Sequence, residues 1–433
     1  MAAIWHHQYQ QKLTSAADAV QDIPDGAVVF CGFCAAEPPA LLDALQANRN
    51  NYKNINVIQM LSPWRSSFVE AENREFLRLN NWFSSAHTRT AVTEGWADYT
   101  PTHFHDSSHI IRQEIVPVDV FITAVGPMDE QGYFNLGVSV AYTFEAIKKG
   151  RRVIFEVNQN MPRTSGNSFV HINHVDQIVE NHVPLPQMKS AFPNDIQRII
   201  GQRVAELIED GSTVQLGFGG IPMAMADFLK EKHDLGIHTE LVVDAMVDLI
   251  ECGAVNNHKR SLHTGKITGT ALVGTDKIYR YSHQNPLVEL HPVDYTNDVA
   301  TIAANHKMIA VNATLEIDLF GQCVSESFGY MHYSGSGGQL DFVRGAVKSP
   351  GGKAILALPS TAKNDSLSRI VPCLAHGAAV TVPRNDTDYI VTEYGAVRLR
   401  GKSQRERALA LISVAHPNFR DELRFAAQKM TLI

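Results

Sequence analysis

The feature that most limits what this chain can fold into is an internal echo. The stretch "DGAVVFCGFCAAEPPALLDAL" (Asp25 to Leu45) lines up with "DGSTVQLGFGGIPMAMADFL" (Asp210 to Leu229). Both carry Asp-Gly, an alternating run, Gly-Phe and then a proline opening a helical pattern. Three more pairs follow in the same order. "FITAVGPMDEQGYF" (Phe121 to Phe134) answers "MIAVNATLEIDLFG" (Met308 to Gly321), "RRVIFEVNQNMP" answers "KAILALPSTAKN", and "DQIVE" (Asp176 to Glu180) answers "DYIVTE" (Asp388 to Glu393). The offset starts near 185 residues and grows, as insertions in the second half would make it. Each copy reads strand, glycine turn, helix, strand, the pattern of an α/β protein with mostly parallel sheets and crossover helices. The expectation is two similar, duplicated α/β domains, 1–185 and 186–433. The seam falls at the prolines of "NHVPLPQMKSAFPND", before a helix that Asn194 or Asp195 would cap and whose apolar side carries Ile196, Ile199, Ile200, Val204 and Leu207.

Composition narrows the function. A chain of 433 residues with 44% hydrophobic and 19% charged residues is an ordinary globular protein long enough for more than one core. Its net charge of -7 is spread without a basic stripe, which argues against nucleic acid and anionic membranes as partners. The opening "MAAIWHHQYQQKL" lacks the basic head and apolar centre of a secretory signal, and no apolar run approaches a membrane span, so a cytoplasmic location is expected. Five cysteines, an odd number and mostly isolated, do not make a disulfide framework.

Several motifs compete for the chemistry. Cys31 and Cys34 in "CGFC" have thioredoxin-like spacing, but helix-forming sequence begins only after Pro38 and Pro39. In the second copy the same two positions are Leu216 and Gly219, so what the copies share is Gly-Phe after a strand, and the thiols read as small buried residues. That second copy, "LGFGGIP", is better suited to approach a ligand, since glycines before a helix let backbone N–H groups meet negative charge. Gly217 and Gly219 with Glu240 fit the start of a dinucleotide fingerprint, although Pro222 stands where its third glycine or alanine belongs. Glu240 has a second reading, as a nucleophile at the carboxyl end of a strand beside an oxyanion-stabilising turn. "YSGSGGQLDFVRGA" (Tyr333 to Ala346) supplies another glycine loop able to bring its main chain to a ligand, and resembles the serine-hydrolase elbow only loosely around Ser336. His103 and His105 have a metal-like spacing with no second ligand cluster to complete it. "LRGKSQRERA" (Leu399 to Ala408) reads as a solvated helix start.

Taken together, "EVNQNMPRTSGNS", "QLGFGGIP", "GIHTELVVDAMVDLIE", "NATLEIDLFGQ", "SGSGGQLDFVRGA", "DYIVTEYGAVRLRGKSQRERA" and "ISVAHPNFRDEL" resemble the acetyl-CoA hydrolase/transferase family almost end to end, in particular its 4-hydroxybutyrate and butyrate CoA-transferase branch. The resemblance implies two similar α/β domains of the class I CoA-transferase type, with the nucleophilic glutamate in the second. It matches that glutamate to Glu240, oxyanion donors to the backbone at Phe218 and Gly338, and an active-site asparagine to Asn297. CoA contacts are implied at Gly217, Phe218, Gly219, Gly220, Ile221, Asn312, Gly335, Gly337 and Gly338. The implied reaction is ping-pong transfer of CoA between an acyl-CoA and a small carboxylic acid through a glutamyl-CoA thioester. Short monocarboxylates, hydroxy acids and dicarboxylates such as succinate or itaconate are all acceptable acids. No metal or permanently bound cofactor is implied, coenzyme A being a substrate, and relatives are commonly homo-oligomers. Thioester hydrolysis by the same glutamate and a dinucleotide-binding oxidoreductase are the competing readings.

Overall fold

The computed structural model describes residues 2–64 and 69–433. The chain folds into two compact units, Met1–Met188 with Thr268–Thr296, and Lys189–Ile267 with Asn297–Ile433.

The first unit is built on β1 (Val28–Cys31), β2 (Ile55–Met60), β3 (Leu77–Phe83), β4 (Asp98–Tyr99), β5 (Val120–Val125), β6 (Arg152–Val157) and β7 (Gln177–Glu180). They lie in the order β7-β6-β5-β1-β2-β3-β4, and every pairing is parallel. All six residues of β5 are buried, as a parallel strand covered on both faces requires. After β1 the chain turns into helix α1 (Pro39–Ala47), where Pro39 occupies a position that needs no N–H donor and Leu41, Leu42 and Leu45 form the buried stripe. The buried Glu156 of β6 accepts the Leu41 N–H at 3.0 Å, closing the helix start from the sheet side.

The second unit holds β8 (Thr213–Leu216), β9 (Gly236–Ile237), β10 (Met308–Ala313), β11 (Lys353–Ala357), β12 (Tyr389–Thr392) and β13 (Gly395–Arg398) in the order β9-β8-β10-β11-β12-β13. Only the β12–β13 hairpin is antiparallel. Of the two possible caps for α2 (Asp195–Glu206) it is Asn194 that closes a capping box with Gln197. Ile200 and Val204 of α2 are buried, whereas Ile199 is exposed, so the apolar stripe is narrower than its sequence suggests. Gly201 lets α2 sit against α3 (Gly220–Leu229): a Cβ there would stand 2.7 Å from the Met225 nitrogen.

The four repeated segments fall on strands of equivalent position. In the first unit β7-β6-β5-β1-β2 succeed one another as β12-β11-β10-β8-β9 do in the second. The offset grows between β5/β10 and β6/β11, where the second half inserts short strands at Glu316–Asp318, Cys323–Val324, Ser327–Phe328 and Met331–His332.

The units depart from a single cut at 185/186. Residues Thr268–Thr296 belong with the first unit, because Val288–Leu290 pairs with Ser165–Gly166 and the Val140 and Leu272 N–H groups donate to Thr270 O and Val138 O at 3.0 and 2.8 Å. In the first half, the residues between β2 and β5 extend the sheet as β3 and β4. In the second, the Thr268–Thr296 part of the segment between β9 and β10 belongs to the first unit instead. Among the described residues no helix is long and apolar enough to cross a membrane.

Candidate active site

The carboxyl edge of the second unit's sheet gathers the residues singled out in its half of the sequence. Strand β9 pairs with β8 through Gly236 beside Thr213 and Ile237 beside Val214. The ladder runs on as the His238 N–H donates to Val214 O at 3.2 Å and the Thr239 hydroxyl donates to Leu216 O at 3.3 Å. One residue further, this register sets Glu240 beside Gly217. On the other side of β8, Leu216 pairs with Val311, which sets Asn312 beside the same glycine. Gln215 fastens that side: its Oε1 accepts the Val311 N–H at 3.1 Å and the Asn312 amide at 3.3 Å.

The turn Gly217–Phe218–Gly219 then leads into α3. Gly219 has φ of +134°, a conformation that excludes most side chains, and caps α3 without any side-chain bond. Pro222 occupies the first turn, and Phe218 is 38% exposed at the rim. The glycine loop at Gly335, Gly337 and Gly338 leads into α5 (Gln339–Lys348), numbered after the short α4 (Val299–Ala303). Gly337 takes a left-handed φ of +51°, and Gln339 Nε2 donates to Ala313 O at 3.4 Å, fastening the loop to the end of β10. Helix α5 also begins on a glycine, Gly338, with no side-chain cap. The N-termini of two helices therefore lie along the edge that carries Glu240, a setting that favours negative charge.

Asn297 joins Glu240 to this loop. It is fully buried, and the next residue, Asp298, caps α4 by accepting the Thr301 N–H at 2.7 Å. Ile302 of α4 presses on Gly345 of α5, where a Cβ would overlap its side chain, so the packing of the two helices sets where Asn297 stands. Asn297 Nδ2 donates to Glu240 Oε2 at 2.8 Å and lies 3.5 Å from Asp341 Oδ2. Both neighbours are carboxylate oxygens, which fixes the NH2 side of the amide towards them. Gly338 has to be glycine: a Cβ would overlap both Glu240 Oε2 and Asn297 Nδ2.

Burial pushes the Glu240 carboxyl up from 4.5 to about 7. The Asn297 amide opposes the rise, the Asp341 carboxylate adds to it, and the Gly338 N–H opposes it again. The result is a carboxylate poorly solvated by water and held by two N–H donors. Its bonds run to Asn297 and Gly338, and Pro222 holds the third fingerprint position, so a ribose-binding acid in a dinucleotide site is not what this geometry presents.

The remaining motifs resolve into structure. Cys31 and Cys34 are buried, and burial next to Glu37 pushes both thiols up, Cys34 to about 12, which leaves no thiolate for exchange. Cys34 holds a left-handed φ of 53°, and its thiol lies 3.7 Å from Met188 Sδ. His103 and His105 stack as near-parallel rings, with centroids 6.0 Å apart. The basic stretch starts a helix at Gln404, closed by a Ser403–Glu406 capping box. Sequence reasoning passed over Asp341, Gln215 and Thr239. The first had a signal, an acid in the opening turn of the helix after the glycine loop.

Known proteins match the chain over nearly its whole length. Residues 3–187 match the acetyl-CoA hydrolase/transferase N-terminal domain and residues 274–427 the acetyl-CoA hydrolase/transferase C-terminal domain. The chain is 46% identical to a succinyl-CoA:cyclohexane-1-carboxylate CoA transferase of Geobacter metallireducens, over 99% of this chain and 98% of that one. It is 44% identical to a 4-hydroxybutyrate coenzyme A transferase of Clostridium kluyveri, over 97% and 98%. The crystal structure of RipA from Yersinia pestis superposes with a TM-score of 0.93 at 41% identity, covering 99% of this chain and 100% of the other.

Proposed function

The chain belongs to the acetyl-CoA hydrolase/transferase family and is a CoA-transferase, and we propose that it carries CoA from an acyl-CoA to a small carboxylic acid through a thioester on Glu240. The observation that carries this reading is the Glu240 carboxylate itself, buried, with Oε2 accepting from Asn297 Nδ2 at 2.8 Å and the carboxyl also bonded by the Gly338 N–H; in this reading Oε1 is the oxygen that attacks.

Glu240 Oε1 attacks the acyl-CoA carbonyl, and the C–S bond breaks to release CoA thiolate and leave a mixed anhydride between the glutamyl and acyl groups. The thiolate then attacks the glutamyl carbonyl, and the acyl carboxylate departs as free acid, leaving glutamyl-CoA. A second carboxylate attacks the glutamyl thioester, and the same two exchanges in reverse deliver the new acyl-CoA and restore Glu240. At the glutamyl carbonyl the oxyanion forms on Oε2, where Asn297 already donates, with the Gly338 N–H beside it. At the acyl carbonyl the Phe218 N–H is the donor, supported by its place in the glycine turn before α3. One such donor contributes about 3 kcal/mol to the transition state. Gly217, Gly219, Gly220, Ile221, Asn312, Gly335 and Gly337 line the path of CoA, because glycine backbone can approach a thioester and its pantetheine closely. From the names of the two relatives, 4-hydroxybutyrate, succinate and cyclohexane-1-carboxylate are the acids to try first.

The test is to incubate the protein with acyl-CoA, trap with borohydride or hydroxylamine, and look by mass spectrometry for modification of the peptide containing Glu240. Wild type carries the modification and Glu240→Ala does not. An unmodified wild type that still transfers CoA would falsify the covalent route. Consumption of acyl-CoA at the same rate without an acid acceptor would instead make the protein a hydrolase.

A further inference from the structure

The glycine loop brings a second carboxylate close to Glu240. Asp341 stands in the first turn of α5, three residues after Gly338, and is 2% exposed. A carboxylate removed from water to that extent is costly unless something compensates it. Here it sits where the N-terminus of a ten-residue helix favours negative charge, and its Oδ2 lies 3.5 Å from Asn297 Nδ2. The amide has two hydrogens and two carboxylates beside it. A neutral hydroxyl or amide in place of Asp341 would not orient the NH2 group as strongly, because an acceptor that carries charge makes the stronger bond.

We propose that Asp341 is a positioning residue for the transfer. It holds the Asn297 amide so that one N–H bonds Glu240 Oε2, and its carboxylate sets negative charge beside the attacking group. This rests on the reading of Glu240 as the group that takes CoA. Asp341 touches neither acyl group nor CoA in this scheme and gives up no proton. Two effects combine in it. Anchored by Asp341, Asn297 keeps Oε2 as the oxygen that becomes the glutamyl carbonyl oxygen, and so keeps Oε1 pointed at the thioester. The neighbouring charge meanwhile disfavours loss of the Glu240 proton and sharpens the anion once it has formed, in line with the upward push that Asp341 exerts on Glu240.

The other groups around this pair are few. On the Glu240 side, His238 is fully buried, its ring lies 6.0 Å from that of Phe342, and its Nδ1 is 3.2 Å from Arg260. Arg260 in turn reaches Asn305 Oδ1 at 3.2 Å. The groups that act directly on the Glu240 carboxyl are the Asn297 amide, Asp341 and the Gly338 N–H.

Asp341→Asn and Asp341→Glu test the proposal, each first checked by circular dichroism and thermal unfolding. In Asp341→Asn, kcat at pH 8 is expected to fall about tenfold or more while KM for acyl-CoA changes less than about threefold. The acidic limb of kcat/KM moves to lower pH by about one unit. Asp341→Glu, which keeps the charge, restores the limb and part of kcat. A folded Asp341→Asn with unchanged kcat and an unmoved limb overturns the proposal. So does a loss of activity with an unmoved limb that Asp341→Glu fails to rescue, since that is the mark of a merely structural residue. Should Asp341→Asn be too unstable to assay, Asp341→Ser takes its place: a lowered kcat with the limb moved to lower pH in a folded protein supports the role, and wild-type kinetics overturn it. Covalent labelling of wild-type Glu240 separates the two readings. A wild type that never labels undermines the glutamyl route itself, whereas normal labelling with indifferent Asp341 variants undermines only this inference.

Discussion

Replacing Glu240 by glutamine should stabilise the protein in a pH-dependent way. The carboxyl is held near 7 in the folded chain against 4.5 for the free group, mainly by burial. At 1.36 kcal/mol per pH unit, ionising it in place costs about 3 kcal/mol more than ionising it in the unfolded chain. The raised value favours the folded state in full below about 4.5, where the group is protonated in both states, and that contribution is lost as pH rises through about 7. Glutamine has no charge to bury and can still present its oxygen to Asn297. Relative to Glu240→Gln, wild type therefore weakens as the solution becomes more alkaline, with about 2.5 kcal/mol of the change falling between pH 5 and pH 8. For a unit of this size a kilocalorie moves Tm by about 2–4 °C, so the Tm gap should widen by about 5–10 °C over that interval. Thermal unfolding of both proteins at pH 5, 6, 7 and 8 measures it directly. A glutamine variant with the same advantage at every pH would refute the reasoning, because a gain from shape or hydrogen bonding alone does not titrate. A variant less stable at pH 8 than at pH 5, relative to wild type, would reverse its sign.

Other expectations follow from contacts of single residues. Gly338→Ala should lower kcat about a hundredfold or more and lower thermal stability as well, since its Cβ would overlap the Glu240 and Asn297 side chains; steady-state kinetics beside a melting curve checks it. Cys31→Ser with Cys34→Ser should leave CoA transfer within about threefold of wild type, and native protein should react with a thiol reagent at Cys252 and Cys373 only, as read by peptide mass spectrometry. Gly201→Val should lower stability by about 1–3 kcal/mol in urea unfolding, because the α2–α3 approach leaves no room for a side chain beside the Met225 nitrogen. In wild type, kcat/KM for acyl-CoA should rise about tenfold per pH unit below about 7, as Glu240 must be ionised to attack.

What was legible in the sequence was whatever repeats or punctuates. The Asp-Gly strand starts and the Gly-Phe turns are local signals whose geometry follows from the backbone, so four aligned segments sufficed to give eight strands in matching order. The fate of Thr268–Thr296 was not legible, because nothing in "TGTALVGTDKIYRYSHQNPLVEL" says which sheet its short strands will pair with. That choice is made by long-range bonds such as Thr270 with Val140. The site divides along the same line. Glycines at 219, 337 and 338 stand out because a positive φ or a close approach favours glycine there, and Glu240 stands out because it follows a strand beside one of these turns. Asp341 is an ordinary first-turn acid by pattern, of the kind that usually faces solvent at a helix start. Only the packing of α4 on α5 turns it inward towards Asn297. That contact depends in turn on Gly345 accommodating Ile302, two residues with no chemistry of their own. The residues proposed to perform the chemistry are therefore marked by their local backbone, while those proposed to aim them are marked only by packing. The same distinction applies to Cys31 and Cys34, where a spacing associated with redox enzymes is overruled by burial beside Glu37.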